Sequence, residues 1–225
     1  MTIGSMSVKN IVIFGQTGAG KSSVVNLMAG EERAATSSDT QRCTTHWEEH
    51  SIACDGYNYL KVFDTVGLQK QQKKPCEEHP DAIEDARSLI TKLDNEGGID
   101  LLLFCVRGLK FVPTIESNYQ RFYIELLGGE KKKKIPVVLV VTGLEREQNM
   151  EDWWTRNKDT LKSKINVDGH VCITAAKNLD QGLYKQSREL ISKLVKEHTQ
   201  ISLPNFEQGT NNSYTYTLYC ANNCP

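Results

Sequence analysis

The segment Gly15-Gln16-Thr17-Gly18-Ala19-Gly20-Lys21-Ser22 decides the fold of this chain. It follows the apolar run Ile11–Phe14 and precedes the apolar-periodic run Val24–Met28. A buried strand, a glycine-rich loop and a helix are therefore predicted in succession. The spacing G-x-x-x-x-G-K-[ST] is typical of loops whose glycines let backbone N–H groups turn towards a phosphate. The segment predicts a site for a nucleoside triphosphate.

Each part of this loop has an expected role. The helix that begins near Gly20 directs the positive end of its dipole at the phosphates. Lys21 neutralises the β- and γ-phosphates and is also a catalytic residue, and the Ser22 hydroxyl ligates Mg²⁺. The alternative, an ordinary glycine-rich turn, is disfavoured by the strand and helix on either side. The predicted phosphate-binding residues are Gln16, Thr17, Gly18, Ala19, Gly20, Lys21, Ser22 and Ser23.

Composition narrows the class of protein. The 225 residues are 39% hydrophobic and 24% charged, which is typical of one sizeable globular domain. A formal charge of −1 gives no basic field for nucleic acid. No run reaches the roughly 18 apolar residues of a membrane span. Seven cysteines, an odd number, without an apolar leader favour a reducing compartment. We expect a cytoplasmic protein with no nucleic-acid partner, and membrane contact is left open.

Along the rest of the chain, apolar runs of strand length alternate with helical patterns. This alternation predicts an α/β fold of three layers, with a mostly parallel sheet, one antiparallel edge hairpin strand and helices on both faces. We expect a disordered lead-in over residues 1–7, the domain over 8–200, and a C-terminal tail or extension over 201–225. The predicted strands after the first are Trp47–Cys54, Tyr57–Phe63, Ile99–Val106, Ile135–Val141 and Val171–Thr174, and the predicted later helices are Asp81–Leu93, Thr114–Leu127, Met150–Ile165 and Leu179–His198.

A second motif, Asp64-Thr65-Val66-Gly67, ends the second strand of the predicted hairpin. Asp64 at a strand end can hold a Mg²⁺-bound water beside Ser22, and the Gly67 N–H can meet a γ-phosphate. We therefore predict Asp64 as a metal residue and Gly67 as a catalytic residue. An ordinary strand-to-loop turn is the alternative. If both roles hold, the loop after Gly67 responds to the presence of the γ-phosphate, which is the property of a switch.

Together, the two motifs resemble those of a P-loop GTPase G domain, over about residues 8–200. The segment Asp64–Leu68 is close to the Asp-Thr-Pro-Gly-Leu of the septin, plastid-import (Toc) receptor and AIG1 (GIMAP) group. The segment Met150–Trp154 is similar to one in uncharacterised fungal G-domain proteins. The resemblance implies the three-layer P-loop NTPase G-domain fold, GTP and GDP as ligands, and Mg²⁺ as the metal.

The resemblance also implies a threonine that ligates Mg²⁺ in the triphosphate state, in the loop before the hairpin. Thr44 is the first choice, as both a metal and a catalytic residue. Thr40 and Thr45 fit the spacing nearly as well.

Guanine recognition in such domains uses [N/T]-K-x-D after a buried strand. At that position the chain has Thr142-Gly143-Leu144-Glu145. Glu145 supplies the same acceptor oxygens on a longer stem, but the lysine that stacks beneath the base is absent. A further base contact is expected at Ala175-Ala176-Lys177, where a backbone N–H meets the guanine O6. The predicted base-binding residues are Thr142, Glu145, Ala175, Ala176 and Lys177.

Intrinsic hydrolysis is expected to be slow. Ras-like proteins place a water-orienting glutamine directly after D-x-x-G, and here that residue is Leu68. Gln69 is adjacent and would need a rearranged loop. By resemblance to the plastid-import receptors, Arg107 can reach the phosphates of a second subunit across the nucleotide face, which makes it a candidate catalytic residue. A plain surface arginine at a strand end is the alternative.

Two functions from different classes follow. The first is a GTP hydrolase that homodimerisation accelerates. The second is a GTP-binding scaffold that assembles in the triphosphate state with little turnover. An ATPase or small-molecule kinase is disfavoured, because the sequence has no Arg-rich lid segment.

Overall fold

Strands and helices alternate along the chain in the predicted order. The structure, a computed structural model, describes residues 7–36, 46–54, 58–67, 82–108, 112–128 and 135–204. Within these ranges the strands are β1 (Val8–Gly15), β2 (Glu48–Ala53), β3 (Tyr59–Asp64), β4 (Leu101–Arg107), β5 (Val137–Thr142) and β6 (Gly169–Cys172). The helices are α1 (Lys21–Ala29), α2 (Ala82–Asn95), α3 (Val112–Tyr119), α4 (Glu151–Lys162) and α5 (Gln181–Thr199).

One sheet contains all six of these strands, in the order β2-β3-β1-β4-β5-β6. β2 pairs antiparallel with β3 at one edge, and the other pairs are parallel. The predicted α/β fold is confirmed. Because parallel strands end at the same edge of a sheet, the described residues that directly follow β1, β3, β4, β5 and β6 lie at that edge. Asp55 and Gly56, which lie in the sequence between β2 and β3, are outside the described residues.

Helices cover both faces of the sheet, and alternate strand residues point to opposite faces. On β1, Ile11 and Ile13 join the core beneath α1 and α5. Val12 and Phe14 join the core formed with α2, α3 and α4. All four side chains are at most 1% exposed, so β1 is buried on both sides, as its continuous apolar run predicts. None of the helices in the described part of the chain has the length and apolar content needed to cross a membrane.

Residues 201–204 continue into the core of the domain. Ile201 and Leu203 are buried among side chains of α1 and α5. Arg188 of α5 donates to the carbonyl oxygen of Leu27 in α1 and to that of Pro204. The first four residues of the predicted tail are therefore part of the domain, and residues 205–225 lie outside the described residues.

The helix predicted over residues 114–127 changes geometry halfway. After α3 the chain continues as a π-helical segment, Gln120–Leu126. The Leu127 N–H donates to the Phe122 carbonyl oxygen, five residues back, at 3.2 Å. The Phe122 ring stacks on Phe14, with 4.2 Å between the ring centroids. Ile115, Tyr119 and Phe122, which are apolar residues at helical spacing, are buried. That spacing does not distinguish the wider π-helical segment from an α-helix.

β6 begins two residues earlier than the predicted strand Val171–Thr174. Gly169 pairs with Val138 of β5, although glycine is not a strand-forming residue. The Ile173 N–H still donates to the Val141 carbonyl oxygen at 2.8 Å, just beyond the end of β6. The residues that follow β6 are consequently held at the edge where the other loops meet.

Candidate nucleotide-binding site

Close backbone packing shapes the loop between β1 and α1. Gly15 has a φ of 146°, and a Cβ atom there would lie 2.2 Å from the Cys105 carbonyl oxygen in β4. Gly20, with a φ of 82°, is the N-cap residue of α1. No side chain of the described residues caps this helix end, so its N–H groups and the positive end of the helix dipole are available to an anion. The loop has the form that its sequence predicts.

The Lys21 side chain lies against the loop itself. It is 7% exposed, and its Nζ donates to the carbonyl oxygens of Gly15 at 3.5 Å and Gln16 at 3.4 Å. Hydrogen bonds of this length are weak. A phosphate oxygen, which carries negative charge, would be a stronger partner for this buried ammonium group.

Ser22 and Asp64 form the candidate Mg²⁺ site. Ser22 Oγ donates to Asp64 Oδ2 at 2.5 Å, and Asp64 is 1% exposed. Burial raises the pKa of the Asp64 carboxyl above its usual range, although Lys21 and the Ser22 hydroxyl both act to lower it. Asp64 Oδ1 is buried without a hydrogen-bond partner among the described residues. A buried carboxylate oxygen in that state is costly.

These two oxygen donors fit Mg²⁺. In nucleotide sites Mg²⁺ is held by one or two protein oxygens together with phosphate oxygens and water. With Mg²⁺ bound, Asp64 Oδ1 would contact the metal ion or a water molecule bound to it. Across the part of the chain that the structure describes, no group of three or more His, Cys, Asp or Glu side chains forms a separate metal site.

The segment after β3 packs directly on the phosphate loop. Thr17 Oγ1 donates to the Gly67 carbonyl oxygen at 3.3 Å. A Cβ atom at position 67 would lie 2.2 Å from Thr17 Oγ1 and 2.5 Å from the Thr17 N and Cα atoms. Only glycine can approach the loop this closely. The two segments predicted to meet a γ-phosphate are therefore in contact.

Two threonines, Thr142 at the end of β5 and Thr174 just after β6, form hydrogen bonds to the phosphate loop and to the predicted base-binding segments. Thr142 Oγ1 at the end of β5 donates to the Ala19 carbonyl oxygen at 2.8 Å. Thr174 Oγ1 donates to the Glu145 carboxylate at 3.2 Å and accepts from the Ala176 N–H at 3.5 Å. The Thr174 hydroxyl therefore connects Glu145, a predicted base contact, to the segment Ala175–Lys177, where the other base contact is predicted.

Thr174 lies at the candidate site, although the sequence pattern does not single it out. It is 1% exposed, and its N–H donates to the Ser187 hydroxyl of α5 at 3.0 Å. Its position directly before Ala175 is the one signal that points to it. A single hydroxyl residue at a strand end is too common to be singled out from sequence.

The other predicted residues are placed as follows. Ser22, Ser23 and Ala175 are half-buried, Lys177 is exposed, and Arg107 is exposed at the end of β4. The candidate threonines Thr40, Thr44 and Thr45, together with Leu68 and Gln69, lie outside the described residues. Their predicted roles stay predictions.

An unpredicted contact joins the start of β2 to α2. Asp85 is 5% exposed and accepts from the Trp47 N–H at 2.8 Å. The His46 Nδ1 atom lies 3.2 Å from the other Asp85 oxygen, and Trp47 Nε1 donates to Ser88 Oγ at 2.9 Å. The helix after the second motif therefore holds the chain just before the hairpin.

A six-stranded sheet with this strand order, a phosphate loop after its first strand and a buried carboxylate after its third defines a P-loop nucleotide-binding domain of the G-domain type. Comparison with known proteins gives the family. The family model described as "50S ribosome-binding GTPase" matches residues 10–143, which is more than half of the chain. The chain belongs to this family, and the prediction of a P-loop GTPase domain is confirmed at that level.

Individual relatives are distant. A protein named GTPase Der from Campylobacter fetus is 27% identical over 161 residues, which are 71% of this chain and 30% of that protein. The chain therefore spans less than a third of that relative. Era from Aquifex aeolicus, bound to GDP and AlF4⁻, has a TM-score of 0.64 at 20% identity, covering 89% of this chain and 58% of Era. Toc33 from Arabidopsis thaliana, with GDP and Mg²⁺, has a TM-score of 0.55 at 16% identity, covering 88% of each chain. These structural likenesses show the fold.

Proposed function

We propose that this chain binds GTP with Mg²⁺, hydrolyses it slowly to GDP and phosphate, and acts as a switch between the two nucleotide states. The contact between Gly67 and Thr17 is the observation that carries the proposal. It joins the residue expected to sense the γ-phosphate to the loop expected to hold it. A displacement at either segment is therefore transmitted to the other through backbone atoms.

The roles of the protein groups follow from their positions. The N–H groups at the start of α1 and the Lys21 ammonium group bind the phosphates. The Ser22 hydroxyl and the Asp64 carboxylate hold Mg²⁺, which when bound neutralises charge on the phosphate oxygens. Glu145 accepts from the N–H groups of guanine that adenine lacks, and a backbone N–H of the segment Ala175–Lys177 meets the guanine O6. Thr44 stays the first choice for the switch threonine.

Slow turnover follows from the residue after Gly67. Leu68 occupies the position at which Ras-like proteins have a glutamine. Its side chain has no group that can orient the attacking water molecule. We propose that homodimerisation across the nucleotide face supplies what is missing. The Asp-Thr-Val-Gly-Leu segment and the likeness to Toc33 support this, and they also favour a place near the septin, Toc and AIG1 group. The segment Met150–Trp154 favours closeness to the fungal G-domain proteins.

Phosphate release from GTP, measured over protein concentrations that span monomer and dimer, tests the proposal. We expect slow release that rises in specific activity with concentration. Lys21→Ala should abolish it, whereas Lys162→Ala, which removes an exposed lysine of α4, should leave it unchanged. GTP binding with flat, near-zero release at every concentration would favour the non-hydrolysing scaffold instead.

The family description raises the ribosome as a partner. Co-sedimentation of the purified protein with 50S subunits, in GTP and in GDP, tests this separately from hydrolysis. The expectation of no nucleic-acid partner stays a prediction, and pelleting with the subunits only in GTP would contradict it.

A further inference from the structure

The base-binding motif of this chain lacks the lysine that stacks beneath the base in the recognition motif. Gly143 occupies the position where the recognition motif has a lysine that stacks beneath the base. Its φ is 75°, a backbone conformation that side-chain-bearing residues rarely adopt. A neighbouring strand brings a different cation to the same place.

The Arg107 side chain crosses over Gly143. A Cβ atom at position 143 would lie 3.2 Å from Arg107 Cγ, 3.3 Å from its Nε and 3.8 Å from its Cδ. A side chain at position 143 would therefore be in tight contact with the arginine, which would have to shift by a few tenths of an ångström. Glycine at this position leaves room for it.

The same side chain lies on the face of the sheet that packs on α1, the helix that follows the phosphate loop. Arg107 pairs in register with Thr142, and by strand alternation both belong to the face that packs on α1 and α5. The Thr142 hydroxyl contacts Ala19 of the phosphate loop, and the loop leading to Glu145 begins at Gly143. Arg107 therefore stands between the phosphate loop and the base-binding loop.

The Arg107 side chain is exposed. Its guanidinium group forms no hydrogen bond or ion pair with the residues that the structure describes. By contrast, Arg156 of α4 pairs with Glu147 at 2.7 Å. The guanidinium group of arginine is planar and weakly hydrated, and without an ion-pair partner it can stack on an aromatic ring without first breaking a salt bridge.

We propose that Arg107 is the base-stacking cation of this site, supplied in cis by β4 in place of the lysine missing at position 143. The proposal rests on the proposed binding of guanine nucleotide and assigns Arg107 a specificity role in the same subunit. The resemblance to plastid-import receptors predicts instead that Arg107 serves a partner's phosphates. The contact with Gly143 directs the side chain along its own base-binding loop, which favours the cis role.

Calorimetric binding of MgGDP, MgGTP and inorganic tripolyphosphate, at several protein concentrations, separates the two roles. Arg107→Ala should weaken GDP and GTP binding alike by about tenfold, because a desolvated cation–π contact is of that order. The loss should be independent of protein concentration, and tripolyphosphate binding should be unchanged. Arg107→Lys should restore part of the affinity. The control Arg87→Ala, which removes an exposed arginine of α2, should bind as the wild type does.

Three results would overturn this role. Wild-type GDP affinity in Arg107→Ala, with loss of hydrolysis only at dimer-forming concentrations, would assign the arginine to a partner's site. An equal loss of tripolyphosphate affinity would make it a phosphate contact. If Arg107→Ala does not fold, Arg107→Gln keeps the aliphatic stem, and unchanged GDP affinity in that variant would count against stacking. Failure of the wild type to bind any guanine nucleotide would instead refute the proposed function itself.

Discussion

Gly67→Ala should uncouple the phosphate loop from the segment after β3. The added Cβ would lie 2.2 Å from Thr17 Oγ1 and 2.5 Å from the Thr17 N and Cα atoms. The hydroxyl can rotate away, but the backbone atoms cannot, so one segment must move by at least half an ångström to reach 3.0 Å. Overpacking of this kind costs about 1–3 kcal/mol. A misplacement of about 1 Å in a catalytic arrangement lowers the rate by about 100-fold.

Single-turnover GTP hydrolysis, with MgGDP affinity measured in parallel, tests this expectation. We expect hydrolysis to fall by about 100-fold while GDP affinity changes by less than about tenfold, because the contact acts at the γ-phosphate. Gly97→Ala is the matched control. Its φ is 99° and its added Cβ would meet nothing within 4 Å, so it loses about 1–2 kcal/mol of stability without touching the site. Wild-type hydrolysis in Gly67→Ala, or an equal loss in Gly97→Ala, would refute the reasoning.

Three further substitutions have expected outcomes. Asp64→Asn should abolish Mg²⁺-dependent nucleotide affinity. It should also raise the Tm of the nucleotide-free protein, because burial disfavours the charged carboxylate. Each kcal/mol added to the free energy of unfolding raises the Tm by about 2–4 °C, and a lower Tm would contradict this expectation. Burial raises the pKa of the Cys105 thiol from 9.0 to about 12 in the folded protein. In the unfolded protein this thiol ionises at lower pH, so the free energy of unfolding falls as the pH rises above 9. In urea unfolding, the free energy of unfolding of the wild type should fall relative to that of Cys105→Ala by about 1.4 kcal/mol per pH unit between pH 9 and 12. If the two proteins give parallel curves of this free energy against pH, the expectation is wrong. Asp85→Asn should lower the free energy of unfolding by about 1–3 kcal/mol by weakening the bond to Trp47, whereas Asp159→Asn, on the exposed face of α4, should not.

Local patterns predicted most of the fold. The strands were recognisable because β1, β4 and β5 are continuous apolar runs, which is the pattern of strands buried on both faces. The phosphate loop was recognisable because its glycines must occur at fixed positions along the chain. The confirmed α/β fold thus depends on signals that lie within about ten residues of one another.

The contacts that were missed join residues far apart in the sequence. Asp85 and Trp47 are 38 residues apart, and Thr174 and Glu145 are 29 apart. Neither spacing has a periodicity that a single sequence reveals. The Arg107 contact was missed for a similar reason, since the sequence shows the missing lysine at position 143 but not the neighbouring strand that brings another cation there. Side-chain contacts at the edge of the sheet can be predicted only once the strand order and register are known.

Calorimetric titration of the purified protein with MgGTP and MgATP under the same conditions tests the central claim most directly. Glu145 can accept hydrogen bonds from N–H groups that only guanine presents, and bonds to a charged acceptor contribute about 1.5–3 kcal/mol each. We predict that GTP binds more than about 100-fold more tightly than ATP. Equal or tighter binding of ATP would contradict the assignment of this domain as a guanine-nucleotide switch.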